Sequence, residues 1–212
     1  MRYCQAMSNA PRQTLRRQPE QARARKNLSA MLDAAAQLIN ECGTDGFSMA
    51  ELARRAGVSK PALYRYFPNK QAVLLALARA SFEQNHALLR DSLERNPGDL
   101  NAAMREAMHR YCALHRSEPF RIHLRAAMHA DPELMALDFA DSRHNAGLVE
   151  EALRSQFPSL DAVALRHHLM LIMGCSDAVA LMTIQVDDDE AEQLIERFVH
   201  MSTASLPLGQ QL

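Results

Sequence analysis

The residues with the most specific chemistry lie close together: Lys60, Pro61, Ala62 and Arg65. Lysine and arginine can donate to the O6 and N7 acceptors of guanine in the major groove, while the small apolar Ala62 and Pro61 suit a thymine methyl. Ser48, together with the free N–H groups at the start of the helix it opens, can hold a phosphate. Arg25 stands with Arg23 and Lys26 where an earlier helix should begin. Cations there oppose the helix dipole, so a phosphate backbone is the partner that would favour them. This is the chemistry of gripping a nucleic acid. Nothing in the chain forms a nucleophile elbow, a phosphate loop, a dinucleotide fingerprint or a metal-hydrolase helix, so no enzyme is expected.

Two short helices must position these side chains. Met49, Leu52, Ala53 and Ala56 recur at i, i+3, i+4 and i+7, one apolar helical face. Ser48 precedes that face as an N-cap, with Glu51 three residues on, which is the pattern of a capping box. Gly57 follows, where a helix exit favours a residue comfortable at positive φ. Ser59 can cap a second helix, with Pro61 in its first turn, where a missing N–H costs nothing. Leu63 and Phe67 turn inward at i and i+4, which leaves Lys60, Ala62, Arg65 and Tyr66 facing outward, and Pro68 ends the helix. Two helices joined by a Gly-containing turn read as a helix-turn-helix whose second member is the recognition helix.

Over roughly residues 28–75 this stretch resembles the helix-turn-helix of the TetR (tetracycline repressor-like) family of bacterial transcriptional regulators. The matching residues are Gly43, Phe47, Met49, Leu52, Ala53, Ala56-Gly57-Val58-Ser59, Leu63-Tyr64, Tyr66-Phe67 and Asn69-Lys70. The resemblance implies an all-α protein. An N-terminal three-helix DNA-binding domain would be followed by a larger helical domain for ligand binding and dimerisation. It also implies that Tyr64, Tyr66 and Lys70 touch the phosphate backbone. The alternatives are a core aromatic at Tyr64 and a solvated charge at Lys70. The expected partners are a double-stranded, palindromic DNA operator, a small-molecule effector and a second copy of the chain. The expected role is that of a cytoplasmic repressor released by ligand, and the alternative is an interaction protein that kept the scaffold without specific DNA binding. Ligand binding in such proteins tilts the helix that joins the two domains and changes the spacing of the recognition helices.

Charge and periodicity extend this division along the chain. Residues 1–70 hold 12 Lys+Arg against 5 Asp+Glu, while the rest holds 12 against 20, although the net charge is only -1. A basic N-terminal third on an acidic body suits a nucleic-acid reader attached to a second function. Residues 1–19 form a basic arm, 20–70 the helix-turn-helix domain and 71–212 the ligand-binding and dimerisation domain. A first helix over about Gln21–Cys42 carries the stripe Leu28, Met31, Leu32, Ala35, Leu38 and Ile39. Asn69 can cap a long helix to about Arg95. Further helices are expected at roughly 99–116, 118–130, 132–156, 161–186 and 188–204, separated by proline breaks and cap residues. The frayed tail would begin at Ser205. The apolar run from Leu160 to Val186 is broken by Asp161, Arg166, His167, His168 and Asp177, which argues for a buried bundle helix over a membrane span.

Within the body, Met108, Tyr111, Cys112, His115, His123, Phe139, His144, Met170 and Met173, with His109 and Met128, fall on helices that line the ligand pocket in TetR-like folds. Adaptable methionines with a few convergent polar groups suit an apolar small molecule. The histidines lack i, i+3 or i, i+4 pairing and no cysteine joins them, so no metal site and no cofactor is expected. Leu165, Leu169, Ile172, Met173, Ala178 and Leu181, with Leu194, Ile195, Phe198 and Val199, exceed what one core stripe needs. A homodimer through the last two helices, as a four-helix bundle, would use the surplus.

Overall fold

A computed structural model describes residues 22–154, 161–204 and 206. The proposed basic arm (1–19), the Phe157-Pro158-Ser159 break and most of the tail lie outside those residues. Among the described residues there are nine α-helices and no strand. They are α1 (Ala22–Gly46), α2 (Met49–Arg55), α3 (Lys60–Tyr66), α4 (Lys70–Arg95), α5 (Leu100–Ser117), α6 (Phe120–Ala130), α7 (Pro132–Arg154), α8 (Ala162–Thr183) and α9 (Asp188–Ala204). The chain divides into two compact units, Met1–Ala80 and Ser81–Leu212, with the division falling inside α4 rather than at its start.

In the N-terminal unit, α2 packs on both α1 and α3. Met31, Ala35 and Ile39 of α1, Leu52 of α2, Leu63 and Phe67 around α3 and Val73 of α4 are all almost fully buried. The stripe read from the sequence is therefore the core. Gly43 (φ 71°, ψ 177°) breaks α1 after Cys42, so the regular helix ends where the periodicity ends. Asn69 Oδ1 accepts from the Ala72 N–H at 2.9 Å and starts α4.

The C-terminal unit is an all-helical cluster in which α8 packs on α5, α7 and α9, and α6 packs on α7. Its punctuation is polar. Asp99, Asp131, Asp161 and Asp187 each accept backbone N–H groups at the first turn of the helix that follows. α8 stops at Thr183, short of residue 186, where the Thr183 hydroxyl donates to the Ala180 carbonyl. No helix among the described residues is long and apolar enough to cross a membrane.

Candidate nucleic-acid interface and effector cavity

The turn between α2 and α3 is built by backbone geometry. Gly57 sits at φ 65°. Its N–H donates to the Arg54 carbonyl, and the Val58 N–H donates to the Ala53 carbonyl at 3.0 Å. This is a Schellman closure of α2, which needs a residue free of Cβ strain at that φ. Ser59 Oγ accepts from the Ala62 N–H at 3.3 Å, and Pro61 occupies the first turn of α3. Ser48 Oγ likewise accepts from the Glu51 N–H at 3.2 Å. The other half of the expected capping box does not form. The Glu51 carboxylate turns to Arg54 instead, accepting from Nε at 2.9 Å and Nη2 at 2.6 Å.

That pairing decides which cations are free. Arg54 is tied to Glu51, and Arg55 to Glu41 and Glu51. The Arg55 contact holds the Glu41 carboxyl below the usual carboxylate range. Lys60 and Arg65 of α3, and Arg25 of α1, are exposed, and no ion pair engages them among the described residues. Pro61 is exposed and Ala62 half-buried on the same helix. Tyr64 is 42% exposed, which removes the core alternative. Tyr66 corrects the expectation of an outward face. It is 8% exposed and its ring meets Phe67 at 6.4 Å, because Leu63, Tyr66 and Phe67 share one face at i, i+3 and i+4. Lys70 is also engaged: Nζ donates to the Asp45 carbonyl at 3.0 Å and lies 5.2 Å from the Phe47 ring centre.

The C-terminal unit holds a cavity of about 70 Å³ that opens to solvent, between α4, α5, α6, α7 and α8. Of the residues expected to line a pocket, Met108, Tyr111 and Met173 border it. His115 and Met128 border a smaller adjoining hollow, which shares Tyr111 and Arg125 with the first. Five lie elsewhere. Cys112 is buried in the core and Met170 packs against it. His123 is exposed and Phe139 is 54% exposed. His144 stacks on His86 at 4.2 Å outside the cavity.

Apart from the expected Tyr111, the cavity's polar side comes from residues that the sequence reading does not assign to a pocket. Arg125 pairs with Asp138 and Asp177, the Tyr111 hydroxyl donates to Asp177, and His86 pairs with Asp141. Asn145 Nδ2 donates to Asp141 Oδ2 at 3.0 Å. Burial pushes the Tyr111 hydroxyl up to about 12 and the Asp141 carboxyl upward as well, against the lowering effect of His86. Burial also pushes His115 down to about 4, so at neutral pH it is uncharged, with Nδ1 at 3.1 Å from the Tyr111 carbonyl. Only Asp177 left a trace in the sequence, as a charge inside an apolar run. One further cluster escaped the pairing rule because it spans two helices: His109 of α5 with Glu192 and Glu196 of α9, whose ligand atoms lie within 4.8 Å of one another. Arg105 already occupies the Glu196 carboxylate and offsets its charge.

Among the described residues, nine helices, a Schellman-closed helix-turn-helix with cations outside any ion pair on its second helix, and a separate helical body are the architecture of a helix-turn-helix transcriptional regulator. Residues 31–77 match the sequence profile of bacterial regulatory proteins of the tetR family, and residues 98–208 match that of the tetracyclin repressor-like C-terminal domain. The chain belongs to the TetR family. The class A tetracycline repressor protein from transposon 1721 of Escherichia coli is 48% identical over 58 residues, 27% of each chain. The HTH-type transcriptional regulator EthR of Mycobacterium tuberculosis is 39% identical over 70 residues, 33% of this chain and 32% of that one. The chain thus matches only about a third or less of the length of these relatives. Fold similarity extends much further. A TetR-family regulator from Streptomyces coelicolor aligns over 83% of this chain and 99% of its own, with TM-score 0.62 and 23% identity. The TetR family repressor AlkX from a Dietzia strain aligns over 84% and 95%, with TM-score 0.55 and 22% identity.

Proposed function

We propose that this chain is a sequence-specific DNA-binding repressor. It acts in the cytoplasm as a homodimer and leaves a palindromic operator when a small molecule fills the C-terminal cavity. The supporting observation is the contrast within the helix-turn-helix. α2's arginines are neutralised by Glu51 and Glu41, while Lys60 and Arg65 of α3 stay exposed and uncompensated beside Pro61 and Ala62. A helix fixed at its N-terminus by a cap, with its other face in the core, can carry Lys60 and Arg65 to base edges in the major groove. In this reading Tyr64, Ser48 and Arg25 hold phosphates, which their solvent exposure supports for Tyr64 and Arg25. Tyr66 acts through the core, and Lys70 can offer phosphate only the donors its contact with Asp45 leaves over.

One copy makes too few contacts for a specific site, and a two-fold dimer with half-sites about 34–36 Å apart supplies the rest. Of the residues first expected at the interface assigned to α8 and α9, Ala178 stays on the outward face while several others turn inward. Leu165, Leu169, Ile195, Phe198 and Val199 are buried in their own unit. The outward stripe of α8 is Leu171 (69% exposed), Gly174, Cys175, Ala178 and Met182 (52% exposed), at one helical face. A contiguous apolar stripe of this kind, with small residues at its centre, suits close approach of a second helix. Effector release is then population shift: a ligand that favours the wider-spaced dimer draws it off the operator.

Selection of bound duplexes from a random library tests this reading. It should yield an inverted repeat occupied by two protomers. Recovery of no consensus, with weak binding that falls steeply with salt on every sequence, would favour the scaffold-retaining interaction protein.

A further inference from the structure

The cavity is chemically lopsided. One side is hydrocarbon and thioether, from Leu88, Leu89, Met104, Met108 and Met173. The other carries more negative charge than the chain neutralises. Among the lining residues Asp141 and Asp177 face a single guanidinium, that of Arg125, which Asp138 also engages from outside the lining. His86 compensates Asp141 at most once. Arg121, which borders the adjoining hollow, is 5% exposed and committed to Glu118, Asn85 and Gln84, so it contributes no surplus. Uncompensated charge away from water is costly, and a bound counter-charge relieves it.

A second observation is independent of charge counting. Asn145 borders the cavity and is 9% exposed. Its Nδ2 donates to Asp141, which fixes the amide's orientation, and its Oδ1 has no partner. A buried, unpaired acceptor beside an acidic field is matched by a donor that is also a cation.

We infer that the cavity takes an amphipathic organic cation, with an apolar body against the Leu/Met wall and a protonated amine donating to Asn145 Oδ1. This rests on the cavity being the effector site. An anionic head would add charge to an acidic end, and a neutral one would leave the excess uncompensated. Three probes sharing one apolar body separate these cases: 4-phenylbutylamine, 4-phenyl-1-butanol and 4-phenylbutyrate, titrated calorimetrically into the full-length protein at neutral pH.

The amine is expected to bind at least about tenfold more tightly than either of the others, the scale of one hydrogen bond to a charged group. Asn145→Leu, checked for an unchanged circular dichroism spectrum, should lower the amine's affinity by more than the alcohol's and so bring the two together. If that variant does not fold, the wild-type ranking decides alone. Binding led by the alcohol or the carboxylate would overturn this inference while leaving the effector site in place. No binding by any probe would overturn both. A full tenfold preference persisting in the folded variant would overturn the placement of the amine at Asn145.

Discussion

The two units solve opposite electrostatic problems. In the N-terminal unit the core is hydrocarbon and the charges stand in water, where Lys60 and Arg65 are left without partners while their neighbours are paired off. In the C-terminal unit polar groups are drawn inside: Arg121, Asn145 and His115 are all buried. A surface that reads a polyanion needs charge that is free but solvated, which costs the fold little. A cavity that recognises a small molecule needs desolvated groups, each of which must be matched within the protein or by the ligand. Stability of the first unit should therefore depend on packing and backbone geometry, and that of the second on protonation and occupancy.

The largest effect should separate the units by function. Lys60→Ala/Arg65→Ala is expected to weaken operator binding by at least about 100-fold, since each base-reading pair contributes about 1–3 kcal/mol and a dimer loses both half-sites. Melting temperature and binding of a cavity ligand should not change. Gel-shift titration beside calorimetry checks this, and a parallel loss of ligand binding would break the separation.

Next comes acidity. His115 titrates at about 4 in the folded chain against 6.5 in the unfolded one, because burial disfavours its charged form. The unfolded state binds the proton more readily between those values, so stability is fully present above pH 6.5 and falls as pH drops toward 4. The loss is up to about 3 kcal/mol for a side chain this buried. Urea melts from pH 7 to 4.5 should show it, and His115→Gln should flatten that part of the profile. The first histidine of the sequence is His86, so no imidazole in the N-terminal unit can contribute to the slope.

A smaller, local effect belongs to the turn. Gly57→Val places a β-branched residue at φ 65° and should cost about 1–2 kcal/mol with no pH dependence, read as a lowered melting temperature.

The same contrast explains what the sequence made legible. The recognition helix is local: its cap, its proline, its outward cations and the glycine that closes the helix before it all lie within about ten residues, and short-range rules are enough. Tyr66 was misplaced even so. Its i+3 register from Leu63 puts it inward, whereas counting only the i, i+4 pair Leu63 and Phe67 leaves it outside. Helix limits in the body were also readable, because aspartates cap them and prolines break them. The cavity was not, since α4 to α8 each give it a few residues and no single helix shows a lining pattern. Methionine was a usable signal, since Met108 and Met173 line the cavity, but histidine was not, as the exposed His123 and the His144–His86 pair outside the cavity show. The useful signal was Asp177, a charge in an apolar helix that could be there only with partners such as Arg125 and Tyr111.

The most direct test of base reading by α3 is a binding panel. Every base pair of one half-site is replaced in turn, and wild type is compared with Lys60→Ala and Arg65→Ala singly. Each variant should lose discrimination of about 1–3 kcal/mol at one or two adjacent positions and keep it everywhere else. Uniform weakening on all sequences, with discrimination intact at every position, would make both residues phosphate contacts and contradict the assignment of α3 as the element that reads sequence.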